Sequence, residues 1–328
     1  MSEKFDAYVL DEQGPAVLRQ LTDDDLPEDE VTVQVRFSSL NYKDGLALTG
    51  KGKIARSFPM ICGIDLAGTV VHSHVDQWQP GDEVISTGWG MSETRHGGYA
   101  GRQRVRSDML VRKPASLTLS QSMAIGTAGL TAMLCVLRLE QAGLRPGTGP
   151  VVVTGAAGGV GSVAVAVLAK LGYEVIAATG RPSTHDYLRD LGASGFIDRV
   201  ELAEASKRPL ESERWAGGVD TVGSTTLATV LKQTRYGGSV AACGLAGGND
   251  LPTTVLPFIL RGVSLLGVDS VLASVQDRAQ AWERLGTDLP ADRLDAISTV
   301  HGFSALPELA EQILAGQTRG RVVIDLAR

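Results

Sequence analysis

Residues Thr154-Gly155-Ala156-Ala157-Gly158-Gly159-Val160-Gly161 have the types and spacing of a turn that cradles phosphate. They follow the β-branched run Val151-Val152-Val153-Thr154, the mark of a buried parallel strand. They open an apolar stretch, Val163 to Leu171, of helical character. Glycine lets backbone N–H groups approach a pyrophosphate, and the helix N-terminus stabilises its charge. Aligned on the last glycine, the motif reads Ala156-x-Gly158-x-x-Gly161, with alanine where the first glycine of the fingerprint stands. The strand–turn–helix frame points to dinucleotide binding through Ala157, Gly158, Gly159 and Val160. Plain helix–sheet packing is the other use of such glycines.

The end of the next strand decides which dinucleotide. NAD sites usually place Asp or Glu there to accept from the ribose hydroxyls. Here Glu174 to Thr179 runs into Thr179-Gly180-Arg181-Pro182-Ser183, and the first carboxylate is Asp186. Arg181 stands twenty positions after Gly161, where the acid is expected. A guanidinium pairs well with a 2′-phosphate, and small Thr179, Gly180 and Ser183 leave room for one, so the loop predicts NADPH. Ligands of open parallel sheets lie beyond the carboxyl ends of the strands, which adds Leu245 and Ser270 as contacts.

Other side chains could do chemistry elsewhere. Tyr42, among Asn41, Lys43 and Asp44, falls on the expected loop after a strand at Val31–Phe37. A phenol there donates a proton when it is positioned to do so, and otherwise packs as an amphipathic residue. Lys51, Lys53 and Arg56 form a short basic loop, a landing site for a phosphate-bearing substrate or a solvated turn. His72 and His74 share one face of a strand, as a chelating pair would, or as a solvated strand face would.

The elements that carry these residues fall into two styles. Val31 to Phe37 alternates apolar with polar side chains, and Asp65–Val71 and Asp82–Ile85 continue as strands. From about Met123, helical stretches alternate with short strands: Ala124–Glu140, Val151–Thr154, Glu174–Thr179, Gly195–Ile197, Val219–Thr221, Ser239–Cys243 and Ser264–Val268. This alternation implies a doubly wound parallel sheet. Helices at Val275–Leu285 and Leu306–Ala315 and a strand at Arg321–Leu326 close the chain.

Composition bounds the rest. With 328 residues, 43% hydrophobic and 21% charged, the chain is long enough for about two globular domains. Its net charge of −6 gives no support to nucleic-acid binding. Three widely spaced cysteines, Cys62, Cys135 and Cys243, make neither a disulfide framework nor a CxxC metal pair. They fit a reducing, cytoplasmic setting. No leader is visible in Met1–Leu10, and no apolar run approaches the roughly eighteen residues that span a bilayer.

The residues together resemble the zinc-independent medium-chain dehydrogenase/reductase superfamily, on its quinone oxidoreductase side, over essentially the whole chain. The resemblance rests on Gly63-Ile64-Asp65-Leu66-Ala67-Gly68-Thr69-Val70, Gly81-Asp82-Glu83-Val84, Gly126-Thr127-Ala128-Gly129-Leu130-Thr131-Ala132 and the glycine turn. Ser38-Ser39-Leu40-Asn41-Tyr42-Lys43-Asp44, Thr49–Lys53, Cys243–Gly248 and Pro252–Arg261 look like the acrylyl-CoA reductase group. The resemblance implies an α/β protein with a GroES-like β-rich substrate domain, 1–124 and 271–328, and an inserted Rossmann domain, 125–270, with the active site in the cleft. It implies NADPH-dependent reduction of acrylyl-CoA to propionyl-CoA, or of a quinone on the same fold. A non-catalytic NADPH-binding redox sensor is the reading from another class. It also implies a homodimer, with Tyr42, Arg199 and Ile259 as further cofactor contacts. Zinc-dependent relatives carry Gly-His-Glu where this chain has Gly63-Ile64-Asp65, so the imidazole ligand is gone. Without a Lewis acid, alkoxide chemistry loses its usual stabiliser, whereas an enolate can be held by hydrogen-bond donors.

Overall fold

The computed structural model describes residues 3–204 and 208–328. Met1, Ser2 and residues 205–207, which fall inside the two expected domains, lie outside the described residues. The chain forms two compact units: Met1–Thr127 with Ser270–Gly286 and Leu294–Arg328, and Ala128–Asp269 with Thr287–Arg293. The short segment Thr287–Arg293, expected in the first domain, groups with the second unit.

In the first unit the Val31–Leu40 strand is the spine of a seven-stranded sheet. Its alternation buries Val31, Val33 and Val35 against Leu66, Val70, Val84 and Met109. The strand runs three residues beyond Phe37, past a register shift against Asp65–Ser73 that follows Val35, with Phe37–Leu40 paired to Val322–Asp325. Past that shift Ser38, Ser39 and Leu40 are all buried, so alternation disappears and with it the sequence signal. On the other side lie Asp65–Ser73, Glu83–Thr87 and Val111–Arg112, with Ser298–Gly302 outside Arg321–Asp325, and Arg102–Val105 pairs with the first half of the spine. A three-stranded sheet of Val17–Leu21, Phe5–Leu10 and Met60–Ile61 completes the β-rich part. The helix Tyr42–Thr49 packs on Leu306–Leu314, sharing Ala47, Leu48, Leu306 and Leu309 in one core.

The second unit is a six-stranded, all-parallel sheet. Its order is Gly195–Asp198, Val175–Thr179, Val151–Val153, Trp215–Asp220, Thr234–Ala242, Ser264–Gly267. In chain order that is 3-2-1-4-5-6, the doubly wound arrangement whose direction reverses between Val151–Val153 and Trp215–Asp220. The helix after the glycine turn starts earlier than its apolar run suggests, at Gly159, and ends at Lys170. Leu119–Gln141 is a single 23-residue helix with a break at Gly126 (φ 52°, ψ −160°). By length and apolar content it could cross a bilayer, contrary to the expectation from sequence. However, 89% of its most apolar window is buried within the protein, as in a core helix.

Candidate functional site

At the reversal point of the parallel sheet lies the glycine turn, whose shape is set by its backbone. Gly155 has φ 59°, and a Cβ on Gly161 would collide with the Gly155 carbonyl, so the turn closes tightly on its helix. Gly158 is the exposed N-cap residue, followed by Gly159 and Val160, while Ala157 is buried beneath them. The neighbouring loop is tied in by Asp220, which sequence reasoning missed. Asp220 accepts from Thr154 Oγ1 and from the Gly223 N–H, each at 2.7 Å. Burial raises its pKa.

The second strand ends with Thr179 buried, its hydroxyl 3.2 Å from that of Thr184 and accepting from the Arg181 N–H at 3.2 Å. Arg181 then caps a short turn at Pro182–Thr184. Arg199, exposed at the first position of a helix, lays its side chain across the bare Cα of Gly180. Gly180, small enough to leave room beside the strand end, carries the Arg199 side chain over its Cα. Asp186, the first acid, is engaged by Arg189 at 2.5 Å in the helix that follows. Leu245 is 67% exposed after the Thr234–Ala242 strand, and Ile259 is 68% exposed on the helix Leu256–Arg261. The fit to a dinucleotide with a 2′-phosphate is good: a glycine cradle on a helix N-terminus, and two arginines with no acid between Thr179 and Asp186.

In the first unit Tyr42 is the first residue of a helix, where a loop was expected, and it is 58% exposed. A capping box between Asn41 and Asp44 starts that helix. Asp44 Oδ2 accepts from the Asn41 N–H (2.9 Å) and Nδ2 (3.1 Å), and Oδ1 from the Ile64 N–H (2.9 Å). Burial, then the charge of Asp65, push Asp44 up from its ordinary value to about 7. Asp65, also fully buried, accepts from Ser39 Oγ (2.5 Å), Asn41 Nδ2 (3.1 Å), and both the N–H (2.9 Å) and Oγ1 (2.5 Å) of Thr127. Arg321 donates to Asn41 Oδ1 and to the Ala124 carbonyl, each at 2.9 Å. These buried polar residues sit inside apolar runs such as Ile64–Ala67 and Arg321–Ile324, the one signal that could have marked them.

Ser270, half-buried, belongs to the same unit, and its carbonyl is held by Arg278 at 2.7 Å. Arg278 is buried, lies over the Trp89 ring (4.2 Å to the centroid), and also donates to Thr87 O and Val271 O. Of the basic loop, Lys51 pairs with Glu311 at 2.5 Å and Arg56 with Glu93 at 2.9 Å; Lys53 is exposed. Glu93 also takes Lys43 at 2.6 Å, and these cations hold its carboxyl below the usual range. His72 and His74 do meet, with ring centroids 4.4 Å apart. Among the described residues no group of three or more His, Cys, Asp or Glu could hold a metal ion. Asp65, at the position of the zinc relatives' glutamate, is saturated by four donors with the Arg321 guanidinium close by, a set that does not fit a metal.

Residues 27–115 match the alcohol dehydrogenase GroES-like domain, and residues 159–287 match the zinc-binding dehydrogenase family. The chain belongs to the medium-chain dehydrogenase/reductase superfamily. Within it, the chain is 55% identical over 327 residues to the acrylyl-CoA reductase AcuI of Ruegeria pomeroyi, covering 98% of this chain and 99% of that one. It is similar to the yhdH oxidoreductase of Salmonella enterica, solved in complex with NADP, with 54% identity, 98% and 99% coverage and a TM-score of 0.95. It also resembles yhfP of Bacillus subtilis, solved with NAD bound, at 44% identity, 99% and 100% coverage and a TM-score of 0.96.

Proposed function

We propose that this protein is an NADPH-dependent reductase of the activated C=C bond of a short enoyl-CoA, acrylyl-CoA to propionyl-CoA. The observation that carries the reading is 55% identity over nearly the full length to an acrylyl-CoA reductase. The two arginines around Gly180 support the choice of NADPH. The glycine turn (Ala157, Gly158, Gly159, Val160) binds the pyrophosphate, and Thr179, Gly180, Arg181 and Arg199 hold the adenosine phosphate. Tyr42, Leu245, Ile259 and Ser270 are assigned as further cofactor contacts.

Bound NADPH supplies the hydride that goes to the substrate β-carbon. The charge then spreads into a thioester enolate, and the α-carbon takes a proton from Tyr42 or from water. This chemistry needs no Lewis acid, in keeping with an Asp65 already filled by protein donors, so we assign a zinc-independent mechanism. Lys51 and Arg56 already pair with Glu311 and Glu93, so we assign exposed Lys53 as the leading candidate for a CoA phosphate. A homodimer is supported by the edge position of strand Ser264–Gly267 and by the exposed apolar Val255 and Leu260 a few residues earlier in the chain. Free thiols at all three cysteines fit the cytoplasm.

The test is NADPH oxidation measured in parallel against acrylyl-CoA, crotonyl-CoA and a benzoquinone. Turnover of acrylyl-CoA well above the others supports the proposal. Turnover of the quinone alone replaces it with a quinone reductase, and inertness toward all three with a non-catalytic binder.

A further inference from the structure

We propose that Asp44 and Asp65 are positioning residues for the reduction, acting through Asn41 and Thr127 to hold Tyr42 and the Gly126–Thr127 bend in one rigid frame. The inference rests on the function proposed above.

Asp65 gathers three segments onto one carboxylate: the end of the Val31–Leu40 strand through Ser39, the start of the Tyr42 helix through Asn41, and the helix break through Thr127. Asp44 clamps the same Asn41 from the other side and ties it to the Ile64 backbone. Arg321 closes the ring by bridging Asn41 and Ala124, the residues that precede Tyr42 and the break. A Cβ on Gly126 would lie 2.6 Å from Asp65 Oδ2, 2.8 Å from Arg321 Nη2 and 3.0 Å from Ser39 Oγ, so the bend packs as bare backbone on the net. Buried networks of this kind hold one geometry when each member is satisfied. Tyr42, exposed, has its backbone anchored by the residue before it and the residue two after it.

Burial, and after it the charge of Asp65 in a net of two carboxylates and one guanidinium, raise Asp44 to about 7. The ionisable groups facing Asp44 are Asp65, Cys62, Tyr99 and Arg321. Burial pushes the Cys62 thiol to about 12 and the Tyr99 phenol well above its ordinary value, so both stay neutral, while Arg321 stays charged. His96, nearby through the Ile61 N–H it accepts, is lowered by burial. As a carboxylate Asp44 accepts three N–H bonds with full charge; as an acid it accepts them weakly, and the clamp on Asn41 loosens.

The experiment measures kcat and KM against pH for wild type, Asp44→Asn, Thr127→Val and Thr127→Ser, each first shown to be folded by its melting transition. Wild-type kcat should rise through about pH 7. Asp44→Asn should lack that limb and lose about tenfold in kcat at high pH, with KM for NADPH within about twofold. Thr127→Val should lose a similar factor, and Thr127→Ser should restore it. A wild-type kcat in Asp44→Asn, or a limb near pH 7 that survives the substitution, overturns the proposal. If Asp44→Asn does not fold, the Thr127 pair decides alone. If wild type reduces none of the substrates, the function proposed above has failed, and hydrogen exchange still tests the frame. The Asn41 and Ile64 amides should then exchange at least about tenfold faster in Asp44→Asn at high pH, and unchanged protection there refutes the frame itself.

Discussion

Replacing Asp44 by asparagine keeps the side chain's shape and removes its charge, so the stability difference between the two proteins isolates one buried carboxyl. In the folded protein burial and the neighbouring Asp65 raise this group from an ordinary 3.8 to about 7. The unfolded chain therefore releases the proton near pH 4, whereas the folded protein keeps it until near pH 7. Folding takes up a proton throughout that window, so the contribution of Asp44 is favourable at low pH and is lost as pH rises to about 7. A separation of about three units, at about 1.4 kcal/mol each, amounts to about 4 kcal/mol. Glu93, Asp82 and Asp108 act in the opposite sense, because each is held below its ordinary value by a paired cation. They are common to both proteins and cancel in the difference. Urea unfolding followed by tryptophan fluorescence suits the measurement, since Trp78, Trp89 and Trp282 lie in the same unit as Asp44. Asparagine should gain on aspartate by about 3–4 kcal/mol between about pH 4 and pH 8, with no further change above that. A difference that does not vary with pH, or one that turns in favour of aspartate as pH rises, would refute the reasoning. The second outcome would mean that Arg321 outweighs desolvation and Asp65 at this site.

Arg181→Ala should weaken NADPH binding by about 1.5–3 kcal/mol while leaving NADH nearly unchanged, read by fluorescence titration with both cofactors; equal losses would place Arg181 away from the 2′-phosphate. Gly180→Ala should displace the Arg199 side chain and weaken NADPH binding about threefold to tenfold, an effect that disappears in an Arg199→Ala background. Activity should survive prolonged EDTA, with no stoichiometric zinc by elemental analysis; inactivation reversed by added zinc contradicts the zinc-free assignment. Lys53→Ala should raise KM for acrylyl-CoA more than Lys51→Ala does, since Lys51 is already held by Glu311, and neither should alter quinone kinetics.

The strand–turn–helix around Gly155–Gly161 was legible because its determinants are local: β-branched residues, then glycines, then an apolar helix. The end of the second strand at Thr179 was legible for the same reason. The helix Tyr42–Thr49 was not, because it is eight residues long with a glycine inside, and its local Asn41–Asp44 capping box sits in a short stretch with no helical periodicity. The role of Gly180 was likewise hidden, since the side chain that covers it arrives from Arg199 on another strand's end.

From the sequence alone came the two-part organisation, the parallel sheet with its glycine turn, and an arginine rather than an acid at the end of the second strand. Each depends on periodicity, backbone permissiveness or charge at a fixed spacing. Tertiary structure alone decided that Ser39, Asn41, Asp44, Asp65, Thr127 and Arg321, spread over some 280 residues of chain, form a single buried net. The physical reason is that a buried charge must find its partner in space, and nothing in the local chain specifies which distant residue that will be.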